Sequence, residues 1–169
     1  TKTVTLQVNE LRFPQGGRYV FYTTPINDPM LGETGKTYQL SIEHNGQQYQ
    51  SNTTIPIITK TIDSLWSKRV ANRPTTDSFR VLMARIIDPP GLGNYIRYFT
   101  KVNNQPFFPG FNSAFDDAII DGKTYNIDID KGVDKNQPFE RENYGFFKLG
   151  DTVIVKLANI DKASYTFWR

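Results

Sequence analysis

The sequence predicts an all-β protein with few or no helices. Three observations point there. Short runs of apolar residues alternate with polar ones along most of the 169-residue chain, the period of half-buried strands. Residues 35 to 56, GKTYQLSIEHNGQQYQSNTTIP, read as a complete hairpin around Asn45-Gly46. Aromatics make up 14% of the chain, mostly Tyr and Phe, beside 12 Gly and 10 Pro, which suits a turn-rich β protein with a modest core.

Taken in order, TVTLQV (3 to 8) predicts a first strand through Val4, Leu6 and Val8. GGRYVFYTT (16 to 24) predicts a second, and PINDPMLGETG (25 to 35) a loop. In the hairpin, Tyr38, Leu40 and Ile42 alternate with polar neighbours. An Asn-Gly type I′ turn sets His44 opposite Gln47, Ile42 opposite Tyr49, Leu40 opposite Ser51 and Tyr38 opposite Thr53. Pro56 keeps its neighbour extended as IPIITKTIDSLW begins. ANRPTTD (71 to 77) is a loop and a plausible boundary between two β units. SFRVLMARIID (78 to 88) predicts a strand buried on both faces, with a helix as the alternative reading, ended by PPGLG. NYIRYFTKVN (94 to 103) predicts another strand, and NQPFFPGFNSAFDD (104 to 117) a long aromatic loop. GKTYNIDID (122 to 130) and DTVIVKLANI (151 to 160) predict strands on either side of a polar loop. Asp161 is placed to cap a short helix in DKASYTFWR. GKTY occurs twice, at 35 and at 122, and a glycine turn feeding a strand explains both.

Composition narrows the chemistry. A net charge of +3 with interspersed signs does not predict nucleic-acid binding. No apolar run reaches the ~18 residues of a membrane span. The chain starts at Thr1 without methionine, which suggests a processed or truncated chain. With no cysteine and one histidine, His44, thiolate metal sites and nucleophile–histidine arrangements have little to build on. No phosphate-binding glycine loop is present, so no cofactor is expected. The acidic groups are Asp116-Asp117, Asp121 and the alternating Asp128, Asp130 and Asp134. Asp128 and Asp130 share a strand face, but the spacing does not fit an EF-hand, and two carboxylates are few for Ca²⁺. A solvated face is the expectation, with no catalytic and no metal residue. Trp66, Trp168 and the PFFPGF segment remain. Phe107, Phe108 and Phe111 crowd around Pro109-Gly110, and a loop placement predicts that they dock on a partner, core packing being the alternative and the commoner fate of a phenylalanine.

The ordered set GKTYQLSIEHNGQQYQSNTTIP…TIDSLW, DPPGLGNYIRYF, FDDAIIDGKTY and GDTVIVKLANIDKASYTFW, spanning about Gly16 to Trp168, resembles a Bacteroidota lipoprotein family, domain of unknown function four-two-four-nine. The resemblance implies an Ig- or transthyretin-like β-sandwich portion over 1–56, ending in the hairpin with its polar arm at a sheet edge, and a second β-rich region over 57–169. It also implies a non-catalytic outer-membrane lipoprotein, on the cell surface or periplasmic face, accessory to a TonB-dependent β-barrel receptor. The lipid anchor is not in this chain. The family brings no established catalytic residues. A carbohydrate-binding β-sandwich module is the alternative. An Asp-based hydrolase is a third reading.

Overall fold

The computed structural model describes residues 2–134, 136–138 and 141–169, the side chain of Arg141 excepted. Among the described residues, eleven strands, one 3-10 turn and one short α-helix make up the regular structure, so the fold is all-β as predicted. No helix among the described residues is long and apolar enough to cross a membrane.

The chain divides into two compact units, Thr1–Glu33 and Thr34–Arg169. In the first, β1 (Gln7–Arg12) pairs antiparallel with β2 (Arg18–Thr23). β1 starts later than the alternation of Val4, Leu6 and Val8 predicts. The turn decides this: Phe13 and Gly17 bond across it, which sets Arg12 opposite Arg18 and Gln7 opposite Thr23. Pairing therefore runs out before Leu6.

The second unit opens with β3 (Thr37–His44) and β4 (Gln47–Thr54). Their register is the predicted one, pair by pair. Asn45 and Gly46 both have positive φ, 52° and 75°, as a type I′ turn requires. The division expected at 56/57 is not where the chain divides. Backbone bonds from Gly35 to Ile55 and from Ile55 to Lys36 close the hairpin, and Thr53 bonds Asp161 at the far end of the sequence. These contacts hold the hairpin in the second unit.

Two larger sheets follow. In one, β6 (Phe79–Ile87) is central, with β5 (Thr61–Arg69) on one side and β9 (Thr124–Ile129) and the short β10 (Phe147–Lys148) on the other. The 71–77 loop joins the paired strands β5 and β6, so it is a hairpin connection and not a unit boundary. In the other sheet, β7 (Tyr95–Val102) lies between β8 (Phe108–Phe115) and β11 (Val153–Ile160). Leu82, Ala84 and Ile86 of β6 and Tyr125, Ile127 and Ile129 of β9 meet Tyr98, Phe115, Val155 and Leu157 from the second sheet. These alternate positions form the core.

The predicted aromatic loop 104–117 is largely β8. Proline argues against a central strand, but β8 pairs only with β7, and an edge strand tolerates it. Pro109 pairs with Phe99, and the register shifts between Phe99 and Arg97, where the stretch from Gly110 to Ser113 of β8 stands against Tyr98 and takes up the irregularity. Gly110 is required there, since a β-carbon would lie 2.5 Å from the Tyr98 hydroxyl. Helix α1 (Lys162–Trp168) closes the chain, capped by Asp161, whose carboxylate accepts from the Ser164 N–H at 2.7 Å.

Candidate functional site

Two groups of side chains stand out in the second unit. The first is a buried polar network that draws together the sequence motifs. The register that pairs Thr61 with Ile87 brings the residues just outside it, Lys60 and Asp88, next to each other. Both side chains are fully buried, with Lys60 Nζ 3.2 Å from Asp88 Oδ1. The other Asp88 oxygen accepts from the Gly122 N–H at 3.1 Å. Asp117, 2% exposed, accepts from the Gly93 and Asn94 N–H groups and from the Asn94 amide. Burial pushes the Asp117 carboxyl up, but these hydrogen bonds prevail and hold it below the ordinary carboxylate range. Asp121 accepts from the Gly91 N–H. Carboxylate oxygens of Asp88, Asp117 and Asp121 lie within 4.8 Å of one another, and the cation resident beside them is the Lys60 ammonium. Asn159 ties in β11: its oxygen accepts from the backbone N–H groups of Thr59 and Lys60, and its amide donates to the Lys60 carbonyl. Thr59 donates to Asn94 at 2.6 Å. Burial, then the charges of Asp88 and Asp117, push the nearby Tyr125 hydroxyl up to about 12.

The second group is a row on the outer face of the β11–β7–β8 sheet. The Lys156 ammonium lies 5.1 Å from the Phe107 ring and 4.5 Å from the Phe99 ring. The Arg97 guanidinium lies 5.0 Å from Phe99 on one side and 3.6 Å from Trp168 on the other. Rings and cations thus alternate in the order Phe107, Lys156, Phe99, Arg97, Trp168. Cross-strand pairing of Lys156 with Phe99 and the return of α1 over β7 create this order. Phe107 is 38% and Trp168 47% exposed. Arg97 is buried, which lowers its pKa from the ordinary value. Among the described residues no carboxylate forms an ion pair with Arg97, Lys101 or Lys156.

The predicted docking residues fall in different surroundings. Phe107 belongs to this row. Phe108 is half-buried on β8, packed where a β-carbon at Gly132 would overlap its carbonyl. Phe111 is 69% exposed and packs edge-on against Tyr144, whose hydroxyl accepts from the Phe111 N–H at 2.8 Å. Asp128 and Asp130 also part company. Asp128 is exposed and pairs with Lys68 at 3.3 Å. Asp130 accepts from the Tyr144 hydroxyl, and burial, opposed by that bond and aided by the Asp128 charge, raises its pKa. His44 is exposed beside Asn45 on the hairpin turn. Asp134 is described, with its carboxylate accepting from the Asn136 N–H.

Sequence reasoning named Asp116-Asp117 and Asp121 but not Lys60, Asp88 or Asn159, and it missed Arg97, Phe99 and Lys156. One signal was present: Lys60 interrupts the apolar stretch IPIITKTI, where a solvated lysine is out of place.

The model of one protein family, described as Domain of unknown function (DUF4249), matches residues 2–169. No curated protein matches the chain, and no solved structure does.

Proposed function

We propose, from the premise that this chain belongs to the DUF4249 family, that it is a non-catalytic accessory subunit of an outer-membrane complex. In this reading it is carried by a lipid anchor outside this chain and works beside a TonB-dependent β-barrel receptor. The observation that carries a binding role is the ring-and-cation row on the β11–β7–β8 sheet. Exposed aromatics backed by a rigid sheet make good interface anchors. Lys156, exposed and without an acidic partner among the described residues, offers charge to an acidic surface. Phe111 of β8, beside Tyr144, is a further exposed ring.

The test is affinity purification of the tagged protein from detergent-solubilised native membranes. The reading expects a β-barrel receptor in fixed ratio to the tagged chain. Recovery of the chain alone would count against it. Carbohydrate binding is the second reading, favoured by the exposed Trp168 and Phe107 rings. The cations already seated on those rings weigh against it, since a sugar would have to displace them. A glycan array separates the two.

A further inference from the structure

The Lys60–Asp88 pair is built for more than attraction. The two residues lie one step beyond the last pair of the β5–β6 register, Thr61 with Ile87. Both side chains are 0% exposed. Yet Lys60 Nζ and Asp88 Oδ1, 3.2 Å apart, each lack a hydrogen-bond partner among the described residues. An ammonium has three donors, and a buried ion pair is stable only when hydrogen bonds satisfy what the pairing leaves over. An amide made from the same two groups removes both charges and leaves one N–H and one carbonyl to satisfy.

We propose that Lys60 and Asp88 are the site of an intramolecular isopeptide bond that the folded chain forms by itself. The ammonium first passes a proton to Asp88, leaving an amine against a carboxylic acid. The Nζ lone pair attacks Asp88 Cγ and forms the C–N bond. Oδ2 carries the negative charge of the tetrahedral intermediate, and the Gly122 N–H, 3.1 Å from it, stabilises that charge. The Cγ–Oδ1 bond then breaks. Oδ1 leaves as water with the proton it already holds and a second one that comes from the attacking nitrogen. Asp117 carries that second proton. Its carboxylate lies within 4.8 Å of the Asp88 carboxylate; the Gly93 and Asn94 N–H groups make it a weak base, still strong enough to take a proton from the cationic nitrogen of the intermediate and pass it to Oδ1. No oxidant, metal or activated co-reactant enters. The strand register supplies the proximity that makes such a condensation effectively unimolecular. Asp117 acts here as proton carrier, and Lys60 and Asp88 are the reacting groups.

The measurement is the intact mass of the purified full chain, held folded overnight and then denatured. The expected mass is that of the sequence less one water. A tryptic digest then contains one branched peptide joining the Lys60 and Asp88 segments, with no cleavage after Lys60. Lys60→Arg and Asp88→Ala keep the full sequence mass. Asp117→Ala retains a cooperative melt and loses water on the order of a hundredfold more slowly. A wild-type chain at full sequence mass after this incubation overturns the proposal whatever the variants do, and leaves the pair as a buried ion pair. A light wild-type chain whose branched peptide joins other residues overturns it as well.

Discussion

Gly46 shows a backbone requirement that the sequence states outright. It has a φ of 75°, and a β-carbon there would meet nothing within 4 Å, so any cost of replacing it comes from the backbone alone. Gly46→Val is expected to destabilise the hairpin by about 1 kcal/mol or more. The strands β3 and β4 are exposed, so the effect is best read as faster amide hydrogen exchange in Thr37–Thr54 with the core strands unaffected. Unchanged exchange would remove the type I′ assignment. Gly132 makes a different demand. It needs no unusual φ, but a β-carbon would run into the backbone and β-carbon of Phe108, while its own N–H bonds the Thr100 hydroxyl at 2.6 Å. Gly132→Ala is expected to cost ~1–3 kcal/mol as an overpacking change, measured by urea unfolding. The Gly46 requirement is legible because a local dipeptide carries it. The Gly132 requirement is not, because the residue it meets lies on β8, distant in sequence. Lys60 and Asp88 are hidden for the same reason: only the β5–β6 register makes them neighbours.

At the scale of elements, alternation and caps were the readable signals. The structure departs from these local patterns where tertiary context took over. β1 shifted because its turn fixed the pairing. β8 was hidden by Pro109, which reads as a break until the strand is known to lie at an edge. The cap of α1 was legible, and it carries a pH dependence. The Ser164 N–H above all, helped by the Ser164 and Thr53 side chains and opposed by burial, holds Asp161 below its ordinary value of 3.8. Between the folded value and 3.8 the unfolded chain binds more protons. The capping contribution is therefore complete above the ordinary value and lost as pH falls through the folded one. Asp161→Ala is expected to lower stability by about 1 kcal/mol at neutral pH. That difference should shrink as acid protonates the wild-type cap. Urea unfolding followed by Trp fluorescence, at neutral and at acid pH, checks both parts, and a difference that grows in acid would contradict the assignment.

For the whole molecule, composition correctly foretold the all-β class, and the family match over residues 2–169 agrees with the resemblance carried by the ordered motifs. The surface proposed for docking was beyond sequence reading. Phe107, Phe108 and Phe111 stand together in the chain, yet the strand sends them to different surroundings. The cations that give the outer sheet its character come from β7 and β11, far away in sequence. The proposed partner would dock on that row and on the exposed Phe111, so the variant to make is Phe107→Ala with Phe111→Ala and Lys156→Glu, all on exposed side chains. Phe108 is left intact because it is half-buried. The decisive measurement is recovery of the β-barrel partner with this triple variant against wild type, alongside the melting temperature of each. The prediction is an unchanged melting temperature and recovery reduced about tenfold or more, since an interface anchor is worth ~2 kcal/mol. A folded variant that recovers its partner in full would contradict the account.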